Sequence, residues 1–77
     1  MKISNKAYLL EEIYNQINVD LEMLGKTKEF VKSANGNAIY IMNIKNNAQI
    51  TLTNPKTAYA DAIDFIQTAS DIKVIHD

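Results

Sequence analysis

Apolar residues recur at helical spacing over residues 5 to 24. Leu10, Ile13, Tyr14, Ile17, Leu21 and Leu24 stand three or four apart and share one stripe. Glu11, Glu12, Asn15, Asn18 and Glu22 fall largely on the other side, so the pattern predicts a helix with one dry face. Ser4 or Asn5 can cap its start, and Gly25 can take the left-handed position that follows a helix end. Leu9, Val19 and Met23 form a weaker second strip that suggests a second neighbour, and a break near Asn18 to Asp20 is the competing pattern.

Between residues 28 and 53 the period shortens to two and three strands are expected. Asn35-Gly36 is the strongest two-residue hairpin signal, because a type I′ turn needs positive φ at both central residues. A turn there sets Phe30 opposite Ile41, Lys32 opposite Ile39 and Val31 opposite Tyr40. Asn46-Asn47 is a weaker signal of the same kind and sets Ile41 opposite Leu52, Met42 opposite Thr51 and Ile44 opposite Gln49. The two registers agree and align Phe30, Ile41 and Leu52 in one row. Thr53 and Asn54 before Pro55 suit a cap followed by proline at the first helical position. A second helix is predicted over about 55 to 70, with Tyr59, Ile63 and Ile66 on one strip and Ala58, Ala62, Phe65 and Ala69 on the next. Ile72, Val74 and Ile75 in the tail predict a short fourth strand. A right-handed crossover from the third strand leaves it parallel to the first and third. The expected fold class is α+β: one two-layer domain over residues 1 to 77, with an N-terminal helix, a three-stranded antiparallel meander, a second helix and a short C-terminal strand.

The middle strand is apolar on both faces. Phe30, Ile39, Ile41, Ile50 and Leu52 make the better core face, with Lys32 at an edge where its stem can lie flat. The other face sets Val31, Tyr40, Met42 and Ile44 beside Glu29, Gln49, Thr51 and Thr53, half apolar and half polar. Three arrangements account for it: the helices cover opposite faces, a second copy of the chain covers the face, or a different protein does. Aromatic residues and Met are enriched at interface centres, which makes Tyr40 and Met42 the expected anchors of a partner-binding patch with Ile44, Val31, Thr51 and Thr53. Exposed apolar residues are also ordinary on monomers.

Composition narrows the chemistry. At 77 residues there is room for one core and no separate substrate domain. The hydrophobic fraction of 47% with 22% charged residues places the chain among globular domains and not disordered ones. No cysteine is present, which excludes thiolate catalysis and disulfides and fits a reducing compartment. Charged residues precede any apolar run long enough for a signal peptide, and no run approaches a membrane span, so a cytoplasmic protein without membrane association is expected. All eight cationic residues are lysine. Without arginine the fork geometry that reads phosphate and guanine is missing, and nine carboxylates offset the lysines. Lys26, Lys28 and Lys32 with sheet tyrosines offer a weak nucleic-acid reading, but cations at a helix end or an edge strand have structural uses too.

Catalytic patterns are missing. His76 is the only histidine and stands second from the end of the sequence, where fraying is expected. Asp61 and Asp64, or Glu12 with Asn15 or Gln16, could meet on a helix face, but exposed helix acids are mostly solvated surface. Two glycines cannot build a phosphate loop, and no cofactor or metal motif is present. The expectation is a small noncatalytic protein-binding module. A regulator or inhibitor of a larger host protein, such as a defence or nucleic-acid enzyme, fits the size and the profile of small AT-rich phage and mobile-element genes. The alternatives are a structural homo-oligomer joined through the sheet face and a weak nucleic-acid binder. Glu11, Glu12, Glu22, Asp61 and Asp64 define an alternative acidic surface for a basic partner.

Overall fold

Helix α1 spans Asn5–Leu24 without a break in the computed structural model, which describes residues 5–24, 27–33, 35–69 and 71–77. Strands β1 (Thr27–Lys32), β2 (Ile39–Asn43) and β3 (Ala48–Leu52), helix α2 (Pro55–Gln67) and strand β4 (Asp71–His76) follow in the expected element order. The fold is α+β. The caps expected from Ser4 and Gly25 lie outside the described residues. At α2 the Asn54 side chain accepts a hydrogen bond from the Lys56 amide at 3.0 Å, with Pro55 opening the helix.

The four strands make one mixed sheet in the order β1-β4-β2-β3. This corrects the meander: β1 does not pair with β2, because β4 lies between them, parallel to β1 and antiparallel to β2. The expected direction of β4 holds, since β2 also pairs antiparallel with β3 and therefore leaves β1, β3 and β4 aligned. The expected rows survive with one member inserted. Phe30, Val74 and Ile41 form one row, Lys32, His76 and Ile39 the next, and Val31, Ile75 and Tyr40 a third on the opposite face. Burial explains the order. Ile72, Val74 and His76 are all but inaccessible in the interior of the sheet, whereas β1, with Glu29 and Lys32, has the charges that protect an edge.

The β2–β3 register also shifts. Ile39 faces Leu52 and Ile41 faces Ile50, two residues from the expected pairing, because the connection is a four-residue turn at 44–47 and not a two-residue one at Asn46-Asn47. Asn47 takes the positive φ of 60°, and the Asn43 and Asn46 side chains accept from the Lys45 and Ala48 amides. A shift of two keeps every side chain on its own face.

Both helices cover one face. Leu10, Tyr14, Ile17 and Leu21 from α1 and Ala58, Ala62 and Ile66 from α2 join Ile39, Ile41, Leu52, Ile72 and Val74 in a single core. The small residues of α2 let its backbone approach the sheet. Leu9, Val19 and Met23, the suggested second strip of α1, stay exposed.

Gly36 does not sit in a hairpin turn but in the longer β1–β2 connection, which has to pass the end of β4. That connection is tied to β4 by Ser33 N donating to His76 O at 2.7 Å and by Asp77 N donating to Ala38 O at 2.8 Å. Gly36 has φ of 71°, and a Cβ there would stand 3.3 Å from the buried Ala7 Cβ of α1. Gly36→Ala is therefore expected to destabilise the fold by about 1 to 2 kcal/mol from left-handed strain alone, with the Ala7 contact adding to it. A urea melt would measure this, and an unchanged midpoint would show that the connection can relax.

Candidate functional site

Strand alternation sets the uncovered face of the sheet. Its central row is Val31, Ile75, Tyr40 and Thr51, one residue from each strand. Beside it runs Glu29, Lys73, Met42 and Gln49, with Lys73 Nζ 3.9 Å from Glu29 Oε1. Neither helix reaches this face. Val31, Tyr40, Met42 and Ile75 are each half-buried by their own neighbours in the sheet. The patch thus has an apolar centre, one flank of balanced charge and polar residues at the β3 edge, the layout of an interface with a polar rim.

Tyr40 is held in place. Its hydroxyl donates to Asp77 Oδ2 at 3.4 Å, while Asp77 Oδ1 accepts from Ser33 Oγ at 2.9 Å and from Asn35 Nδ2 at 3.4 Å. A ring fixed at its polar tip presents its apolar body to a partner at little further entropic cost.

Of the predicted patch residues, Val31, Tyr40, Met42 and Thr51 share this face. Ile44 belongs to the β2–β3 turn, where it is 49% exposed, and Thr53 lies exposed beyond the end of β3. Ile75 is a central member that sequence reasoning assigned to no face, because the neighbours of β4 were not fixed by any turn. The tyrosines do not form a base-stacking platform: Tyr40 is on the open face, Tyr14 is in the core, and Tyr8 and Tyr59 are on the helices.

The alternative acidic surface divides. Glu22, Asp61 and Asp64 are exposed, and Glu12 accepts from the Tyr8 hydroxyl at 3.1 Å. Glu11 does not stand free: Lys32 Nζ from edge strand β1 pairs with its Oε1, and its Oε2 lies 3.0 Å from His76 Nδ1.

That contact overturns the expectation of a fraying His76. The imidazole is 1% exposed, stacked on Tyr14 with ring centroids 5.0 Å apart, and Tyr14 meets Phe30 edge-on at 5.8 Å. Glu11 attracts His76 Nδ1 by charge but outside hydrogen-bond geometry, and Nε2 has no partner among the described residues. Burial holds the imidazole below its ordinary pKa of 6.5; Lys32 pushes the same way, and Glu11 and Asp77 oppose them. The period-two run Ile72, Val74, His76 carried the signal that the histidine faces the core.

Among the described residues no group of three or more histidines and carboxylates is placed to hold a metal ion, and no helix is long and apolar enough to cross a membrane. No protein-family model matches this chain, and no curated protein or solved structure is similar to it.

Proposed function

We propose that this chain is a noncatalytic protein-binding module that docks a larger protein through the open face of its sheet and regulates or inhibits that protein by covering the surface it binds. The observation that carries the reading is the placement of both helices on one side, which leaves the row Val31, Ile75, Tyr40, Thr51 and its neighbour Met42 uncovered.

Area argues for a larger partner over a second copy. Four strands at about 4.8 Å spacing and about 20 Å long present a footprint of roughly 400 Å². Two such faces in contact bury on the order of 800 Å², short of the roughly 1,200 Å² at which stable interfaces begin. A larger protein can also grip the rim, including Ile44 and the edge of β3.

The reading is tested by placing a photoreactive benzoylphenylalanine at Tyr40 and irradiating cells that express the chain. The expected product is one adduct with a larger protein, lost when Met42→Lys is added. An adduct with the chain itself, matched by a concentration-dependent dimer in light scattering, would replace this reading with self-association. Tyr40→Lys and Met42→Lys are expected to weaken the complex at least a hundredfold, the effect of losing a central anchor, with an unchanged circular dichroism spectrum. Unfolding of either variant would return those residues to a structural role.

A further inference from the structure

The largest exposed apolar side chains are not on the sheet. Tyr8, Leu9, Val19 and Met23 on α1 and Tyr59 on α2 are each between 37% and 81% exposed, and Ile44 is the one other large apolar residue so exposed among those described. Where the two helices meet on their outer side they form an open groove of about 400 Å³, lined by Leu9, Glu12, Ile13, Gln16, Pro55 and Tyr59. The Tyr59 hydroxyl donates to the Asp20 carboxylate, which also accepts from Gln16 Nε2 at 3.0 Å, so the groove ends at an anion whose place is fixed. That hydrogen bond holds the Tyr59 hydroxyl above its ordinary pKa and keeps it a donor.

Charge is unevenly shared between the layers. The two helices carry six carboxylates, Glu11, Glu12, Asp20, Glu22, Asp61 and Asp64, against two lysines, Lys6 and Lys56. Among the described residues, Glu11 is the one of the six that pairs with a lysine of the sheet. The apolar groove is therefore set in an anionic surface, while the chain as a whole is close to neutral at −1.

We propose that the groove between α1 and α2 is a second docking surface, for a cationic amphipathic helix of a partner protein. Apolar side chains of such a helix would fill the groove over Leu9, Ile13 and Tyr59, as a third helix packs into the ridges of two others, and its lysines or arginines would reach Glu12 and Asp20. The same charge excludes the other occupants: a second copy would set its acidic helices against these, and phosphate backbones and anionic membranes would be repelled. With the sheet face opposite, the chain would hold two proteins at once, one on each side of its two layers.

A synthetic 18-residue helix with leucines on one face and lysines on the other is the probe, titrated into the ¹⁵N-labelled chain. A control peptide replaces every lysine by glutamate. The lysine peptide is expected to shift the amides of Leu9, Ile13, Gln16 and Tyr59, to weaken with added salt, and to bind at least tenfold more tightly than the control. Leu9→Lys and Glu12→Lys, both at exposed positions, are each expected to weaken it at least tenfold with the spectrum otherwise intact, and Gln16→Trp, which fills the groove, gives a second route to the same loss. Met42→Lys is expected to leave it unchanged, so failure of this surface and of the sheet face are read separately. Equal binding of the control, shifts spread over β2 and β4, or insensitivity to all three groove variants would overturn the proposal.

Discussion

Removal of residues 71–77 is expected to unfold the protein outright. β4 is hydrogen-bonded on both sides, so its loss separates β1 from β2 and leaves two fragments of sheet. Ile72 and Val74 are fully buried, and burial of each contributes about 1.5 to 3 kcal/mol. Together with two ladders of backbone hydrogen bonds and the ring contact of His76 on Tyr14, this approaches the whole stability of a domain of this size, about 4 to 11 kcal/mol. Far-UV circular dichroism and the dispersion of the ¹⁵N spectrum would show it. Persistence of native dispersion in the shortened chain would mean that β1, β2 and β3 hold together without β4, as in the meander. A graded version is Ile72→Ala, expected to cost about 2 to 5 kcal/mol.

The parts of this fold legible from the sequence were those with local causes. Helical spacing placed Leu10, Tyr14, Ile17 and Leu21 in the core, Asn54-Pro55 marked the start of α2, and alternation sorted Ile39 and Ile41 from Tyr40 and Met42. Strand adjacency has no local cause. A parallel neighbour is separated from its partner by most of the chain, and Asn35-Gly36 asks for positive φ whether it turns a hairpin or serves a longer connection. Gly36 keeps that conformation at 71°, so the signal was real but its use was different. The open face of the sheet illustrates the same limit. Tyr40, Met42 and Val31 were found by parity, which a register shift of two does not disturb, whereas Ile75 joined them only once β4 had a position. Glu11, Lys32 and His76 come from three distant elements, and no spacing along the chain brings them together.

The architecture also accounts for why the middle of the sheet is apolar on both sides. β2 and β4 are the two inner strands, and each presents Ile or Val to the helices and a second apolar residue, Tyr40 or Ile75, to the open face. Solubility alone does not call for that second row, since edge-flanked inner positions tolerate Thr or Lys on a solvated face. The proposed docking through this face would supply the cover that the second row lacks.

Acidification from about pH 7.5 to about pH 5.5 is expected to lower the stability of the protein, and His76→Phe to remove most of that dependence. The unfolded imidazole titrates near 6.5, while burial holds the folded one below that value. Between the two pKa values the unfolded chain binds the proton and the folded chain does not, so stability rises with pH in that window. The contribution is therefore fully present above about 6.5 and is lost as the pH falls through that value toward the folded pKa. Glu11 opposes burial without reversing the sign. Its carboxylate lies 3.0 Å from Nδ1 and favours imidazolium, but it already carries Lys32, whose charge repels a second cation, and the ring is enclosed by Tyr14 and the strands. Phenylalanine keeps a ring against Tyr14 without a proton to bind, which separates titration from packing. His76→Ala loses both and is expected to cost about 3 kcal/mol at neutral pH, in the range for deleting a buried ring. Glu11→Gln removes the one carboxylate that touches the imidazole, so it is expected to steepen the acid loss. Urea midpoints at a series of pH values measure all four proteins. Stability that rose on acidification would mean that Glu11 outweighs burial and that the imidazole is held above its ordinary pKa.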